Sequence, residues 1–326
     1  MTAPGTAFYC MSSNAYFLGA VAMINSLRLQ GHAEPIYLLD LGLTAQQREL
    51  LAPEVSFVEA PAGVAPWLAK TIAPLRHPAE TMVLIDVDMI ATRPLGELIE
   101  RAREGRVVAF ENDMDRFVPE WGEILGLGEL RRRPYVCSGF VAMARDPGEP
   151  LLELMEQCQS RVEFERTFFA GNDPDYPLLY LDQDVLNAIL ASRVDEERIV
   201  RLESRMMSPL GFGAPELVDE GALRCLYDDG VQPYVVHHIL PRKPWLKPMY
   251  HGVYSRLLMR LLVGPGLAIR VPERQIPVRL REGRMGRLVR ARIHARDRLG
   301  WMARNHLPEG VFTRLDRLRR SGAATR

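Results

Sequence analysis

The chain has 326 residues, 47% of them hydrophobic, which excludes a disordered chain and allows one large packed domain with an appendage. We expect no membrane-spanning helix and no signal peptide, and the scattered cysteines predict reduced thiols in a cytoplasmic protein (Cys10, Cys137, Cys158 and Cys225). The formal net charge is zero, but sixteen arginines and five acidic residues from Ile269 onward leave the body acidic by about 11 charges.

Apolar, strand-like runs alternate with helical patterns through the first third of the chain. Thr44 is the expected N-cap of the second helix, and Pro94 lies near the first turn of the fourth. This alternation predicts an α/β fold with a mostly parallel, helix-covered sheet, whose ligands bind beyond the carboxyl ends of the strands. The predicted strands span 7–12, 35–41, 55–60 and 81–86, and the predicted helices 16–31, 44–52, 65–75 and 94–104.

The pattern continues to about residue 265 and then changes. Beyond that point the chain is rich in arginine and poor in acid. We therefore predict a domain over 1–265 and a helical, basic C-terminal extension over 266–326. Before the change we predict strands at 107–112, 135–144 and 234–240, and helices at 148–164 and 181–192.

Two aspartates, Asp86 and Asp88, stand at the carboxyl end of the fourth predicted strand. In extended backbone their side chains point the same way, and two close carboxylates repel each other unless a cation lies between them. Mg²⁺ and Mn²⁺ take oxygen ligands and usually bind through one or two carboxylates plus substrate phosphates. The pair favours a metal–diphosphate site, and a solvated strand end capped by acids is the bland alternative.

A phosphatase of the haloacid-dehalogenase type is another interpretation of this Asp-x-Asp pattern, with the first aspartate as nucleophile. It is disfavoured because Ile90 stands where that motif carries Thr or Val, and because three predicted strands precede the motif.

Several further motifs follow in a fixed order between residues 7 and 250. They read MSSNAYFLGAVAMINSL, LAKTIAPL, LIDVDMIATRPL, YVCSGFVAM, YLDQDVLNAIL and VVHHILPRKPW. Their order and spacing resemble the retaining GT-A glycosyltransferases related to glycogenin and to bacterial lipooligosaccharide galactosyltransferases, often called family 8. The fold that this resemblance implies is GT-A, with a Rossmann-like sheet.

The resemblance also implies roles for individual residues. The metal ion, Mn²⁺ or Mg²⁺, would be held by Asp86, Asp88 and His237, while His238 falls one residue out of the family's interval. The catalytic residues facing the donor sugar would be Asp182 and Gln183. The donor-binding residues would be Ser12, Asn14 and Tyr16 around uracil and ribose, Lys70, Ser138 and Gly139 near the sugar, and Lys243 at the diphosphate.

Two departures from the family pattern affect the expected contacts. Cys137 stands where the family carries an asparagine, so sugar recognition should differ. Leu240 and Pro241 occupy the place of a glycine at which backbone approaches phosphate.

The implied activity is metal-dependent transfer of a sugar from a UDP-sugar donor to a hydroxyl of a glycan, lipid-linked or other acceptor, with retention. An inverting transferase is a second hypothesis, with Asp182 or Asp184 as the base. A degenerate GT-A scaffold is a third, supported by Cys137 and Leu240.

The basic C-terminal region pairs leucine rows with arginines at helical spacing from residue 253, and carries Trp301 and Phe312. This pattern favours peripheral contact with an anionic membrane. A helix packed on the body or on a partner is the alternative. We expect no nucleic acid, because the body is acidic and no motif that reads nucleic acid is present.

Overall fold

The computed structural model describes residues 5–209, 214–240, 242–250 and 252–306, with side chains described as far as Leu299. Within these ranges, no helix is both long enough and apolar enough to cross a membrane.

Eleven strands and nine α-helices make up this part of the chain. The strands are β1 Thr6–Ser12, β2 Ile36–Asp40, β3 Ser56–Glu59, β4 Thr81–Ile85, β5 Met89–Ala91, β6 Val107–Glu111, β7 Val136–Ala144, β8 Ile199–Leu202, β9 Glu216–Asp219, β10 Arg224–Leu226 and β11 Val235–His237. The helices are α1 Phe17–Leu29, α2 Ala45–Leu51, α3 Ile72–Arg76, α4 Gly96–Arg103, α5 Trp121–Ile124, α6 Arg145–Gln159, α7 Asp182–Arg193, α8 Gly252–Val263 and α9 Gly283–His306.

The central sheet has seven strands in the order β3-β2-β1-β4-β7-β6-β8. Every pair is parallel except the two made by β7, which runs antiparallel to β4 and to β6. The predicted mostly parallel α/β fold is confirmed. Because β7 is reversed, its first half lies beside the carboxyl end of β4, with Phe140 opposite Ile85.

Successive residues of each strand feed two separate cores, one on each face of the sheet. Phe8 packs into a cluster with α1, α4 and α8, whereas Tyr9 packs into a cluster with α6 and α7. This alternation is the expected consequence of the two-residue period of a strand. Both faces are covered by helices, so the polar groups of the site must lie at the strand ends.

One predicted helix, 65–75, is divided in the structure. A 3₁₀ turn spans Pro66–Leu68, and α3 begins only at Ile72. The reason is Pro74, which has no N–H to donate to the carbonyl of Lys70 and whose ring would clash with it. The break leaves Lys70 in a turn between the two short helices. By contrast, the predicted cap at Thr44 is confirmed, since its side chain accepts the N–H of Gln47.

A second, two-stranded sheet reaches beyond the end of β4. The chain leaves β4, turns through residues 86–88 and forms β5, which pairs antiparallel with β11. In this register His237 lies opposite Met89. The pairing therefore brings a strand from late in the sequence directly to the carboxyl end of β4.

The segment after β11 is part of the same core. Asn25 of α1 donates to the carbonyls of Leu261 and Ile269 and accepts the N–H of Ile269, a set of contacts that we call the Asn25 clamp. Side chains as far along as Leu280 are buried in the cluster that contains α1. The packing shows no break at residue 265, and the proposed division into 1–265 and 266–326 stays a prediction.

Candidate functional site

The Asp86–Asp88 turn is fixed to the neighbouring strand by the backbone. The amide of Asp86 donates to the carbonyl of Gly139 in β7 at 2.8 Å, and the amide of Met89 donates back to the Asp86 carbonyl at 3.0 Å. The turn thus holds both carboxylates at the end of β4, where ligands of parallel sheets are expected.

His237 joins the two aspartates through the pairing of β11 with β5. One ligand atom from each of Asp86, Asp88 and His237 can be chosen so that all three lie within 4.8 Å of one another. His238 points elsewhere, and its ring packs against Tyr254 with centroids 5.0 Å apart. Burial, with the nearby Lys243, lowers the pKa of His238 to about 4. The structure therefore brings together the three predicted ligands and separates them from His238.

Two lysines contact this cluster, each through a different aspartate. Lys70 Nζ lies 3.1 Å from Asp86 Oδ1 and 2.9 Å from Asp182 Oδ2, and it donates to the carbonyl of Ser138 at 2.8 Å. Lys243 Nζ lies 2.5 Å from Asp88 Oδ2 and 2.6 Å from the carbonyl oxygen of His238. Every predicted charged residue of the site is therefore in contact with at least one other.

These charges shift one another's pKa values. Burial raises the pKa of Asp86, and the lowering effect of Lys70 only partly offsets it. Burial would also raise the pKa of Asp88, but His237 and Lys243 outweigh it and hold that pKa well below its usual value. Burial disfavours the charged form of His237, yet Asp88 raises its pKa to about 10. The opposite charges thus favour the ionised forms of Asp88 and His237, whereas burial works against the ionised form of Asp86.

Two polar atoms of the cluster have no hydrogen-bond partner although both are buried, namely Asp88 Oδ1 and His237 Nδ1. Asp88 Oδ1 lies 3.2 Å from His237 Nε2, at an angle that makes no hydrogen bond. Buried polar atoms are normally satisfied, so unsatisfied ones in one cluster indicate a missing ligand. Two carboxylates and an imidazole suit Mn²⁺ or Mg²⁺, and the residues fit such an ion.

Gly139 leaves the space next to this cluster open. A Cβ atom at this position would lie 2.6 Å from Met89 Cε and 3.1 Å from both Asp86 Oδ2 and His237 Cε1. Any side chain here would therefore press on two of the three metal ligands. Neighbouring Cys137 is buried, and its sulfur accepts the N–H of Gly139 at 3.4 Å.

The predicted nucleoside residues surround the start of α1. Ser12 is buried at the end of β1, while Asn14 is exposed and its side chain accepts a hydrogen bond from Gln47. The Tyr16 ring packs edge-on against Trp245, with centroids 6.1 Å apart. Burial raises the pKa of Tyr16, and the charges of Asp88 and Asp86 add to the effect, which places this ring near the carboxylates.

Gly19 allows α1 to approach the Asp86–Asp88 turn. A Cβ atom there would lie 2.7 Å from the carbonyl oxygen of Val87 and 2.8 Å from the Trp245 ring. Trp245 in turn donates from Nε1 to the carbonyl of Ala15. The start of α1, the aspartate turn and the Lys-Pro-Trp segment are therefore packed as one unit.

The start of α7 contacts the cluster through Lys70 and β7. Asp182 is held by Lys70, and the side-chain oxygen of Gln183 accepts the N–H of Ser138 at 3.3 Å. Leu181, which precedes them, has a positive φ of 51°, a conformation that costs a residue with a side chain about 1–3 kcal/mol. Both predicted catalytic side chains therefore face β7 and Lys70.

Asp184 differs from its neighbours in the same helix turn. It is completely buried and accepts four hydrogen bonds, two from Arg116 and one each from the hydroxyl of Tyr135 and the amide of Tyr180. With its lone pairs used in this way, it has no free capacity to take a proton from an acceptor. Its role is to anchor the start of α7, which argues against it as the base of an inverting enzyme.

The residues that the sequence did not reveal are Arg116 and Tyr135, which hold Asp184, and the pair Trp67 and Phe164. The last two rings are stacked with centroids 3.6 Å apart and connect the segment before Lys70 to the segment before α7. These residues carry no motif. The only signal in the sequence was Asp184, the third residue of Asp-Gln-Asp, which begins a mostly apolar helix. If such a carboxylate is buried, it requires a cation or several hydrogen-bond donors elsewhere in the chain.

Solved structures of glycosyltransferases share the fold. An active-site mutant of LgtC has a TM-score of 0.53 and 14% identity, covering 82% of this chain and 98% of that one. The galactosyltransferase LgtC in complex with donor and acceptor sugar analogues has a TM-score of 0.53 and 15% identity, with the same coverage. The bifunctional glycosyltransferase WbbM has a TM-score of 0.52 and 15% identity, covering 82% of this chain and 51% of that one.

At these identities the likeness establishes the fold. The chain has a GT-A glycosyltransferase fold of the kind found in family 8, as the motifs predicted. No protein-family model matches the chain, and no curated protein matches its sequence.

Proposed function

We propose that the chain is a retaining glycosyltransferase that uses a UDP-sugar and a divalent metal ion, Mn²⁺ or Mg²⁺. The observation that carries the proposal is the cluster of Asp86, Asp88 and His237, flanked by two lysines, at the strand ends of a GT-A fold. A diphosphate with its counter-ion matches this alternation of carboxylates, imidazole and ammonium groups. The acceptor is a hydroxyl of a glycan or of a lipid-linked glycan.

The predicted donor-binding residues form three groups, one each for the uridine, the diphosphate and the sugar of the donor. Ser12, Asn14 and Tyr16 would surround the uridine at the start of α1. Lys243 would contact the diphosphate, and Lys70, Ser138 and Gly139 the donor sugar. Support for this division comes from the contacts of Tyr16 with Trp245 and of Lys243 with Asp88, which connect the start of α1 to the metal ligands.

The chemistry needs no side chain as nucleophile. A bound divalent ion, held by Asp86, Asp88 and His237, would supply Lewis acidity to the leaving diphosphate. Lys243 and Lys70 would stabilise negative charge on the same group. The acceptor hydroxyl attacks the sugar carbon on the face that the leaving group departs from, and a phosphate oxygen takes the hydroxyl proton. Asp182 or Gln183 would stabilise positive charge developing on the sugar.

Two other functions are compatible with the same fold. For an inverting transferase the base would have to be Asp182, which is held by Lys70, because Asp184 is fully hydrogen-bonded. A scaffold without catalysis would not require the buried, unsatisfied polar atoms of the metal cluster. Binding of UDP that EDTA abolishes separates the enzyme hypotheses from the scaffold.

The decisive experiment is a UDP-release assay across common UDP-sugars with Mn²⁺, followed by determination of the anomeric configuration of the product. We expect release with at least one donor, stimulation by an added acceptor and a retained anomer. An inverted product overturns the retaining mechanism. UDP binding that is unaffected by EDTA overturns metal dependence.

We also propose that the C-terminal helix contacts an anionic membrane. Its outward face carries exposed Met285, Leu288 and Leu299 among exposed arginines, including Arg284 and Arg292. Such a face suits anionic headgroups. Co-sedimentation with anionic but not neutral vesicles, weakened in Leu288→Asp, is the expected result. The side chain of Trp301 and the whole of Phe312 lie outside the described residues.

A cytoplasmic location of the protein stays a prediction.

A further inference from the structure

Lysine is rare in this chain, and its few positions are informative. Of the 41 basic residues, three are lysines and thirty-eight are arginines. Lys70 and Lys243 are the two that contact the metal cluster, while Lys247 is exposed. A chain that uses arginine almost everywhere else therefore carries lysine at both of the cationic positions of its candidate site.

Lys243 forms an ion pair with one of the two carboxylate oxygens of Asp88, Oδ2. Its ammonium group is buried and lies within 2.6 Å of both Asp88 Oδ2 and the His238 carbonyl oxygen. The two contacts differ in kind. The carbonyl group is backbone and belongs to His238, which follows the predicted ligand His237, whereas the carboxylate is the side chain of the predicted ligand Asp88. An ammonium group has three donors, so one remains for another acceptor.

Lys70 has the same arrangement on the other carboxylate. Its ammonium group lies between Asp86 and Asp182 and also donates to a backbone carbonyl, that of Ser138. Together the two lysines supply two positive charges to three carboxylates. The cluster is therefore nearly neutralised by the protein itself, before any ion is present.

Adding a divalent ion alone would put two further positive charges next to both lysines in a largely buried place. Adding the ion together with a diphosphate would not, because the anion offsets the added charge. The electrostatics thus favour joint over separate binding of metal and nucleotide.

We propose that Lys243 is an internal counter-ion that holds Asp88 in the metal-free protein and couples metal binding to nucleotide binding by transferring its contact from Asp88 to the diphosphate. The inference rests on the function proposed above. Lysine suits this role because it is a compact charge on a flexible stem, whereas the planar guanidinium of arginine tends to stay in a fixed bidentate pair with a carboxylate.

The test is the affinity for Mn²⁺ measured by titration calorimetry or by the EPR signal of the free ion, with and without saturating UDP. For the wild-type protein we expect UDP to tighten Mn²⁺ binding by a factor within the usual range of coupling, about 5- to 150-fold. Equal Mn²⁺ affinity with and without UDP overturns the inference.

The variant Lys243→Met keeps the apolar stem and removes the charge. We expect it to bind Mn²⁺ more tightly than the wild type when UDP is absent, to bind UDP more weakly, and to lose most of the coupling. Lys247→Met is the matched control, because Lys247 is exposed and lies four residues away, and it should keep the wild-type coupling. Unchanged coupling in Lys243→Met overturns the inference.

The outcomes also separate this inference from the proposed function. Binding of both Mn²⁺ and UDP without coupling leaves the glycosyltransferase proposal intact and removes only the role of Lys243. Failure of the wild-type protein to bind either ligand overturns both. If Lys243→Met does not fold, Lys243→Gln replaces it, and the coupling measured in the wild type still decides.

Discussion

Two aspartates of this molecule, the fully buried Asp184 and the half-buried Asp88, are satisfied in different ways. Asp184 accepts four hydrogen bonds from groups that belong to the fold, and no part of it is exposed. Asp88 lies against a lysine and a histidine, yet one of its oxygens has no hydrogen bond at all. The comparison indicates that Asp184 is saturated by its own chain, whereas Asp88, a predicted metal ligand, keeps one oxygen atom without a hydrogen bond.

The largest effect is expected from a substitution of Asp184, the aspartate whose carboxylate is fully hydrogen-bonded. Asp184→Asn removes the charge that compensates Arg116, and breaking a buried ion pair typically costs about 3–5 kcal/mol. Urea denaturation should show this loss in the free energy of unfolding. A loss below about 1 kcal/mol would contradict the structural role and reopen Asp184 as a reactive group.

The complementary change removes the other aspartate's charge. Asp88→Asn should lower the rate of metal-dependent sugar transfer by about 10²–10³-fold, the range for loss of one electrostatic contact to a transition state. The variant should still fold, but its free energy of unfolding should also fall, because the buried Lys243 and His237 lose the carboxylate charge that neutralises them. Activity that persists at wild-type levels would rule out Asp88 as a metal ligand.

A smaller effect is expected when the space that Gly139 leaves beside Asp86 and His237 is filled. Gly139→Ala introduces a Cβ only 2.6 Å from Met89 Cε, and overpacking of this kind costs about 1–3 kcal/mol. Because the same methyl group presses on Asp86 and His237, we also expect weaker Mn²⁺ binding in the presence of UDP, measured by calorimetry.

Gly96→Ala is the matched control for that variant, since a Cβ atom at Gly96 meets nothing within 4 Å. It should leave both stability and Mn²⁺ affinity near wild-type values. Equal effects of the two substitutions would show that Gly139 has no special relation to the metal ligands.

The smallest effect is expected when one of the four hydrogen bonds to Asp184 is removed. Tyr135→Phe deletes the hydroxyl that donates to Asp184 at 2.6 Å and leaves three hydrogen bonds in place. We expect a loss of about 1 kcal/mol in the free energy of unfolding, because Asp184 stays largely satisfied. A loss as large as that of Asp184→Asn would mean that the tyrosine alone stabilises the buried charge.

The sequence predicted the sheet well, and it predicted that the two aspartates of the candidate metal cluster lie at the end of that sheet, for identifiable reasons. Strand β4 is apolar on both faces, and Asp86 and Asp88 follow it directly, so their position at the sheet end needed no knowledge of tertiary contacts. Their approach to His237 depends on the pairing of β5 with β11, about 150 residues apart in sequence. Only the family resemblance linked these segments, since both strands are three residues long and carry no periodic signal.

Other features depend on contacts that a linear pattern does not contain. The reversed direction of β7 leaves its apolar pattern unchanged, because a strand buried on both faces looks the same in either direction. The anchoring of Asp184 requires Arg116, which is 68 residues away and lies outside any regular element. The arginine-rich composition after residue 265 predicted an appendage, whereas several apolar residues between those arginines, including Ile269, Ile276 and Leu280, are buried in the cluster that contains α1.

The Asn25 clamp has a consequence for the synthesis of the chain. Helix α1 leaves the ribosome before the segment that contains Ile269, and its residues from Phe17 to Leu27 are all buried in the finished protein. The clamp joins Asn25 to Ile269, 244 residues later. At about 5–20 residues per second, that partner is made on the order of tens of seconds after α1. Until then this apolar helix cannot be fully covered by its own chain, and part of its apolar surface stays exposed to solvent during synthesis.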